Sequence, residues 1–573
     1  MTSRAEGVGA AARRRLPKIF PVLDWSRGYR RSWLWHDLLA GVLGALASMP
    51  AAMGLAQVAG LPARAGLYVL VFPVLTYAVF GASREMVLSP AGAVAALIGE
   101  TLLPLAAANS ARQLELASLL SLMVAAMLLV AATLRLGVLQ SFVSRPVLLG
   151  YLAGSAAVVA LTQVGAILGA RSEGRTAIAA VRALVASAGM VTPLRASFGL
   201  GCLAALLALR RTRLPIPGSA VLLLGAALLA TLAGWSGRIE VLGAVGRSLP
   251  PLGVPAFDPR TVWAMLPGAV AILLVIVSDS GSIERGTAAE HGERVPPNHE
   301  LAALGLTNLA AGLSGGFPVG GSVPDTAFGE RAGGRTPLSG VVSALVVVAV
   351  LASGWLFERI PVAALGAVVF VAVLEAVAWR LPALLWRFDR REFAFMLTSF
   401  FGVLLVGFVP GLVVAVLVNI IVLLLAAVRV RLVELGTSPE AGPRFGDLER
   451  SPGFRPVPGV LILRVESGLY FINASSMNER VLERCARLPT APRAVVLDLG
   501  TTPFVDFSGC LALERLGKDL AEQGVRLAVA NPPGLVRDSL RRFGLRELLP
   551  TEKGRLDIPG ALERLGLAAA PKG

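Results

Sequence analysis

Ser89-Pro90-Ala91-Gly92-Ala93-Val94-Ala95-Ala96 and Gly320-Gly321-Ser322-Val323-Pro324-Asp325-Thr326-Ala327 are short, interrupted apolar stretches in matching places of the two halves of one long apolar region. In a bilayer, backbone polar groups leave the helical ladder only where they line a cavity. Paired broken segments therefore point to a binding site near the midplane of a transporter. The open N–H groups at the start of a half-helix carry roughly half a positive charge, which suits an anion. Each stretch follows, by about forty residues, a polar or helix-breaking position inside a long apolar helix: Pro50 in the first half, Ser278-Asp279-Ser280 in the second. An odd number of crossings per half gives the two repeats opposite orientations, so a seven-plus-seven inverted repeat is expected.

Composition agrees with a polytopic α-helical membrane protein. The 573 residues are 55% hydrophobic and only 16% charged, too apolar for a soluble chain of this length. About fourteen spans or half-spans of the length a bilayer requires fit between residues 37 and 430, as repeats 37–247 and 261–430 around a Pro- and Gly-rich stretch. The formal charge of +16 does not call for a nucleic-acid partner, because topology accounts for it. Arg210, Arg211 and Arg213, then Arg380, Arg387, Arg390 and Arg391, then Arg429 and Arg431, fall in connections of one side, which makes both termini cytoplasmic. Arg171, Arg175, Arg182 and Arg195 fall on the other side, in a long loop whose charges count less. Residues 1–36 read as a basic cytoplasmic arm, with Arg13, Arg14, Arg15 and Lys18 meeting anionic headgroups of the lipid bilayer and no signal-peptide pattern ahead of them.

After residue 430 the pattern changes. A polar, turn-rich linker is expected over 431–457, and then buried strands near 459–465, 494–499 and 525–530 alternate with helices over 477–488, 509–522 and 534–543. This is a small α/β domain, 458–570. Cys202, Cys485 and Cys510 have no metal-ligand or disulfide spacing, and His36, His291 and His299 lie at the borders of the apolar region. No cofactor, metal or catalytic constellation is expected, and the chain does not read as an enzyme.

The chain resembles the SulP family of anion transporters that end in a STAS domain. The resemblance rests on Met49-Pro50-Ala51-Ala52-Met53, Gly66-Leu67-Tyr68, Phe80-Gly81-Ala82-Ser83-Arg84, Ser89-Pro90, Phe142-Val143-Ser144-Arg145-Pro146 and Gln163. In the second half it rests on Asn298-His299-Glu300 through Asn308, and on Ala332-Gly333-Gly334-Arg335-Thr336-Pro337-Leu338. Leu469-Tyr470-Phe471-Ile472-Asn473-Ala474 and Asp506-Phe507-Ser508-Gly509 resemble the STAS domains of these carriers. The resemblance implies a core domain moving against a gate domain, substrate between the two half-helices, and a homodimer. It also implies sulfate, bicarbonate or a dicarboxylate as cargo.

Candidate substrate contacts are Ser89, Ala91, Gly92, Asp279, Gly321, Ser322 and Val323, mostly through backbone N–H groups with Ser hydroxyls added. Asp279 is an ionisable group in an apolar span; it either binds a coupling Na⁺ or H⁺ or caps a broken helix. Asp325 stands where many relatives have Arg, and it either caps the second half-helix or acts as a second acid or cation ligand. Ala51 replaces a common Gln, and Gln57 is six residues away, off its helical face. Glu375 is either a gate residue or a snorkelling one, and Glu284 and Arg285 are expected at the cytoplasmic surface. Ser508 is either a regulatory phosphorylation site or part of a helix cap. The rival functions are a membrane anion sensor that signals to a cytoplasmic partner through its STAS domain, a nucleobase-type carrier, and an anion channel.

Overall fold

The computed structural model describes residues 21–567 apart from 107–108, 142–143, 171, 173, 213–215, 236, 244–248, 292–294, 354–357, 439–443 and 550–555. Arg13, Arg14, Arg15 and Lys18 of the basic arm, Phe142 and Val143 of one motif, and Arg171 and Arg213 lie outside the described residues. The chain forms two units, one up to Asn419 and one from Ile420.

In the first unit the first half contributes α1 (Leu34–Val58), α2 (Phe72–Phe80), β1 (Leu88–Ser89), α3 (Gly92–Ala106), α4 (Ser110–Thr133), α5 (Arg145–Leu168), α6 (Pro193–Leu209) and α7 (Gly218–Leu232). The second contributes α8 (Pro259–His291), α9 (Pro297–Leu313), β2 (Gly320–Gly321), α10 (Val323–Arg331), α11 (Leu338–Ser353), α12 (Val362–Glu375), α13 (Arg390–Val406) and α14 (Phe408–Val428). Among the described residues five helical segments are long and apolar enough to span a bilayer, and shorter apolar helices accompany them. Large side chains left exposed, among them Leu228, Leu232, Leu405 and Leu417, suit a surface facing lipid rather than water.

The packing repeats itself between the halves. α1 packs on α11 as α8 packs on α4; α3 packs on α8 as α10 packs on α1; α5 packs on α13 as α12 packs on α6. The strands β1 and β2, one from each half, pair antiparallel, Leu88 opposite Gly321 and Ser89 opposite Gly320. This reciprocity is what two oppositely oriented copies of one repeat produce. Most of the close packing falls within a group around α1–α4 and α8–α11 or within a group around α5–α7 and α12–α14, with α1 against α7 and α12 and α3 against α5 bridging the two. Within the second group Gly411 lies against Gly402 and Val403, where a side chain at Gly411 would crowd the backbone of α13.

Pro50 lies inside the long helix α1 and Ser278-Asp279-Ser280 inside the long helix α8, as expected, but α8 runs unbroken, so the alternative in which Asp279 caps a broken helix fails.

The second unit has a five-stranded sheet in the order β4-β3-β5-β6-β7. Its strands are β3 (Leu432–Thr437), β4 (Phe445–Asp447), β5 (Val460–Val465), β6 (Ala494–Asp498) and β7 (Arg526–Ala530). Between and after them run α15 (Ala474–Ala486), α16 (Phe507–Glu522), α17 (Gly534–Phe543) and α18 (Ile558–Arg564). β5, β6 and β7 are parallel, as the strand–helix alternation requires, and β3 joins antiparallel. The stretch 431–457 is therefore not a plain linker, because β3 and β4 extend the sheet from within it. The sequence hides β3 because it follows the last membrane helix directly, with no turn residues to set it off. Gly436 is required there, since a Cβ would lie 2.4 Å from the Arg455 carbonyl oxygen.

Candidate functional site

The β1–β2 bridge brings the two half-helices together. It needs glycine on one strand, because a Cβ on Gly321 would stand 2.6 Å from the Met86 sulfur and one on Gly320 would press on Ile276. Asn308 of α9 holds the strand in place: its Oδ1 accepts from Val319 N at 3.0 Å and its Nδ2 donates to Val319 O at 2.9 Å. Asn308, quoted above only as part of a motif, is a scaffold residue of the site.

The two half-helices differ in what they offer. At the start of α3, Ala91 occupies the cap position without a side-chain oxygen. Among the described residues the N–H groups of Gly92, Ala93 and Val94 have no acceptor. This is a row of unsatisfied donors at the positive end of a helix. The start of α10 is already occupied. Ser322 Oγ accepts from Asp325 N at 3.4 Å and donates to Asp325 Oδ2 at 2.8 Å, while Ser48 Oγ of α1 donates to Asp325 Oδ1 at 3.1 Å. Pro324 has no N–H. The Gly321 N–H donates to Ser280 Oγ at 3.0 Å and the Ser322 N–H to Val87 O at 3.0 Å. Gly321 and Ser322, expected as amide donors, are thus committed within the protein, and Val323 keeps the one uncommitted N–H of that first turn.

Beside both helix starts lies a cavity of about 500 Å³. Ala91, Gly92, Asp279, Gly321, Ser322, Val323 and Asp325 all contribute to its wall, so the structure brings together every expected contact except Ser89. Ser89 is buried in β1, and its hydroxyl has no hydrogen-bond partner among the described residues. Ala51, the small residue in place of a common Gln, lines the cavity and leaves room where a polar side chain would reach in. The half-buried Asp279 carboxylate faces this space with no hydrogen bond or ion pair among the described residues.

The cavity also reaches Arg210 at the end of α6, Arg331 at the end of α10 and Glu375 at the end of α12. Arg210 and Glu375 form an ion pair, so Glu375 neither snorkels alone nor offers a free charge. Arg331, whose Nε donates to Ala327 O, is the cation that follows Asp325 by six residues along the short helix. Neither the Arg210–Glu375 pair nor the Ser48–Asp325 contact was legible, since each joins residues far apart in sequence. Arg331 was legible as the last basic group of the second half-helix.

Other acids are structural. Glu284, expected at the surface, is 4% exposed and accepts from Gln140 Nε2 at 3.3 Å. Its place on the face of α8 shared with Ser280 turns it inward, while Arg285 next to it is exposed. Glu300 accepts from Tyr77 Oη at 2.7 Å and from Ala82 N at 3.2 Å. Asp37 accepts from Arg335 N and Thr336 N and from Thr336 Oγ1 at 2.7 Å, which gives the Arg335-Thr336-Pro337-Leu338 motif a role in fixing the entry to α11.

In the second unit Asp506 accepts from Gly509 N at 2.7 Å and Phe471 N at 2.8 Å, capping α16 and joining the two STAS-like motifs. Ser508 is the half-exposed second residue of that helix. Burial, and then the Asp506 charge, push the Cys510 thiol up to about 11, so it stays protonated and inert at neutral pH.

Residues 34–399 match the sulfate permease family, and residues 452–556 match the STAS domain. A probable sulfate transporter of Mycobacterium tuberculosis strain H37Rv is 34% identical over 540 residues, covering 94% of this chain and 96% of its own. The chloroplastic sulfate transporter 4.1 of Arabidopsis thaliana is 29% identical over 93% of this chain and 80% of its own. Among solved structures, that of SLC26A9 superposes with a TM-score of 0.86 at 21% identity, over 97% of this chain and 94% of that one. The transmembrane domain of a cyanobacterial bicarbonate transporter, BicA, gives 0.60 at 22% identity, over 68% of this chain and 98% of that one.

Proposed function

Since the chain belongs to the sulfate permease family, with an appended STAS domain and a multi-pass membrane region, we propose that it is a secondary transporter of sulfate, coupled to protons, across a bacterial plasma membrane. The observation that carries this reading is the uncapped start of α3: of its three open N–H groups those of Gly92 and Ala93 belong to residues lining a cavity, and Asp279, a carboxylate without a partner among the described residues, lines it too. Sulfate binds to the amides of Gly92, Ala93 and Val94 and to the Val323 amide across from them. Hydrogen bonds from backbone donors to a charged acceptor contribute about 1.5–3 kcal/mol each, enough for a small oxyanion without an Arg in direct contact. The names of the relatives favour sulfate over bicarbonate as cargo.

A second anionic charge beside sulfate repels it. Taking up a proton at Asp279 removes that repulsion, and releasing it on the other side releases the anion with it, which makes proton and sulfate move together. Na⁺ is the weaker reading, because a cation needs several oxygen ligands around it and the described residues bring no group of three or more His, Cys, Asp or Glu side chains together. The group around α1–α4 and α8–α11 carries the site and slides against the group around α5–α7 and α12–α14. Fourteen crossings, with both termini cytoplasmic, put the Arg210 and Glu375 mouth of the cavity on the cytoplasmic side. The protein works as a homodimer in this proposal, with the STAS domain in the cytoplasm, where Ser508 is a position for regulation.

Uptake of labelled sulfate into proteoliposomes under separately imposed H⁺ and Na⁺ gradients tests the reading. A proton gradient should drive accumulation, and Asp279→Asn should retain sulfate exchange while losing accumulation against a gradient. Accumulation driven by Na⁺ alone would replace the proton, and sulfate binding without uptake would make the protein a sensor.

A further inference from the structure

Gly407 ends α13 and begins α14: its carbonyl accepts the first bond of α14, from Gly411 N at 3.0 Å, so it occupies the cap position of that helix. A glycine cannot cap with its side chain. The cap comes instead from Glu100 of α3, whose Oε2 accepts from Val409 N at 2.8 Å. Glycine is what lets the carboxylate come so close: Gly407 has φ +119, and a Cβ there would lie 2.8 Å from Glu100 Oε1. A residue on the half-helix that begins at the anion site thus satisfies the start of a helix packed on α5 and α13, in the other group.

Position in the fold gives this contact its meaning. Glu100 lies eight residues beyond Gly92, roughly 12 Å further along the helix. It lies beyond the part of α3 that lines the cavity, which among the residues of that helix is Gly92 and Ala93. The bond therefore ties the far part of the half-helix, away from the anion site, to the start of α14. A sliding movement of α3 past α14 cannot keep it, because the donor and the acceptor belong to the two groups that move apart. When it breaks, the first N–H groups of α14 lose their only side-chain acceptor among the described residues, and Glu100 loses its place at a positive helix end.

We propose that Glu100 is a positioning residue of the transport cycle, a latch whose bond to the start of α14 holds the protein open toward the basic face. This rests on the alternating-access reading above and names the residue that sets its equilibrium. Glu100 touches neither sulfate nor Asp279; it acts through the relative populations of the two open states. Removing a carboxylate cap at a helix start changes such a balance by about tenfold.

The test uses the full chain in proteoliposomes with a reporter thiol on the cavity wall, Ala47→Cys, labelled by a membrane-impermeant maleimide applied to one side or the other. The native thiols Cys202, Cys485 and Cys510 are buried and give a low background. With Glu100 intact, labelling proceeds mainly from the basic face and sulfate slows it. Glu100→Ala should move the ratio of the two labelling rates about tenfold toward the opposite face, and Glu100→Gln, which keeps one weaker acceptor, by less. Should the alanine variant not reach the membrane, the glutamine variant carries the same test. A ratio unchanged in both variants overturns the latch. Failure of sulfate to slow labelling in any variant would instead overturn the anion site, while leaving the ratio to decide on Glu100.

Discussion

Ala93→Pro puts the asymmetry of the two half-helices to the sharpest test. α10 carries Pro324 as its second residue, after Val323, and Ala93 holds the equivalent place in α3, after Gly92. Proline is accepted in the first turn of a helix, because the N–H it lacks had no intrahelical partner, and the protein already builds one half-helix this way. The substitution deletes one of the three open amides at the start of α3, on a residue that lines the cavity, without removing a helical hydrogen bond. If that amide donates to a doubly charged oxyanion, its loss costs about 1.5–3 kcal/mol of binding, which weakens sulfate roughly 10- to 150-fold. Calorimetric titration of purified protein measures this directly, with Ala93→Val as a control that adds bulk and keeps the N–H. The thermal midpoint without sulfate should stay close to that of the parent. Unchanged affinity in a folded Ala93→Pro protein would mean that the anion does not sit on the start of α3, and the proposed site would be wrong.

Two further outcomes follow from contacts already described. Ser48→Ala removes one of the two hydroxyls that donate to Asp325, so that its carboxylate presents an unsatisfied oxygen to the cavity; sulfate affinity should fall about three- to tenfold, and Ser48→Thr should restore it. In the second unit, the neutral Cys510 thiol should resist alkylation in the folded chain at pH 8. Because its titration is raised on folding, both states hold the proton below about pH 8.5, and stability falls as the pH climbs from there toward about 11, where the folded thiol also ionises. Thermal melts of the parent and Cys510→Ala across that range should diverge in that direction, with the parent losing more.

Much of the site was readable because helix breaks leave marks in sequence. Pro90 and Gly92, and Gly320, Gly321 and Pro324, interrupt otherwise apolar runs, and they do bound the two half-helices. Asp279 was readable from the cost of its charge, and the structure turns it to the cavity. What the residues could not reveal was which donors remain free. The amides of Gly321 and Ser322 are taken by Ser280 of α8 and by Val87, the first through the packing of β2 on α8 and the second through an antiparallel pairing across more than two hundred residues of chain. Glu284 was misplaced for a similar reason: five residues past Asp279 it looks like the end of a span, but helical rotation turns it toward Gln140 instead of the surface. β3 was missed because a strand that follows a membrane helix without a turn has no left boundary to read.

The reversal of charge at Asp325 finds its explanation in these committed donors. An Arg at that place would add attraction to a helix start that is itself attractive, whereas here Pro324, Ser322 and Asp325 together leave α10 almost nothing to donate. A carboxylate held at the positive end of a helix is stabilised there and neutralises the half-charge that would otherwise draw the anion. The binding field is therefore lopsided, strong at α3 and close to neutral at α10. A substrate bound mainly to one half-helix travels with that helix, and the same helix ends its reach at Glu100. The proposed site and the proposed latch share one helix of fifteen residues, so on this reading whatever shifts α3 resets both together.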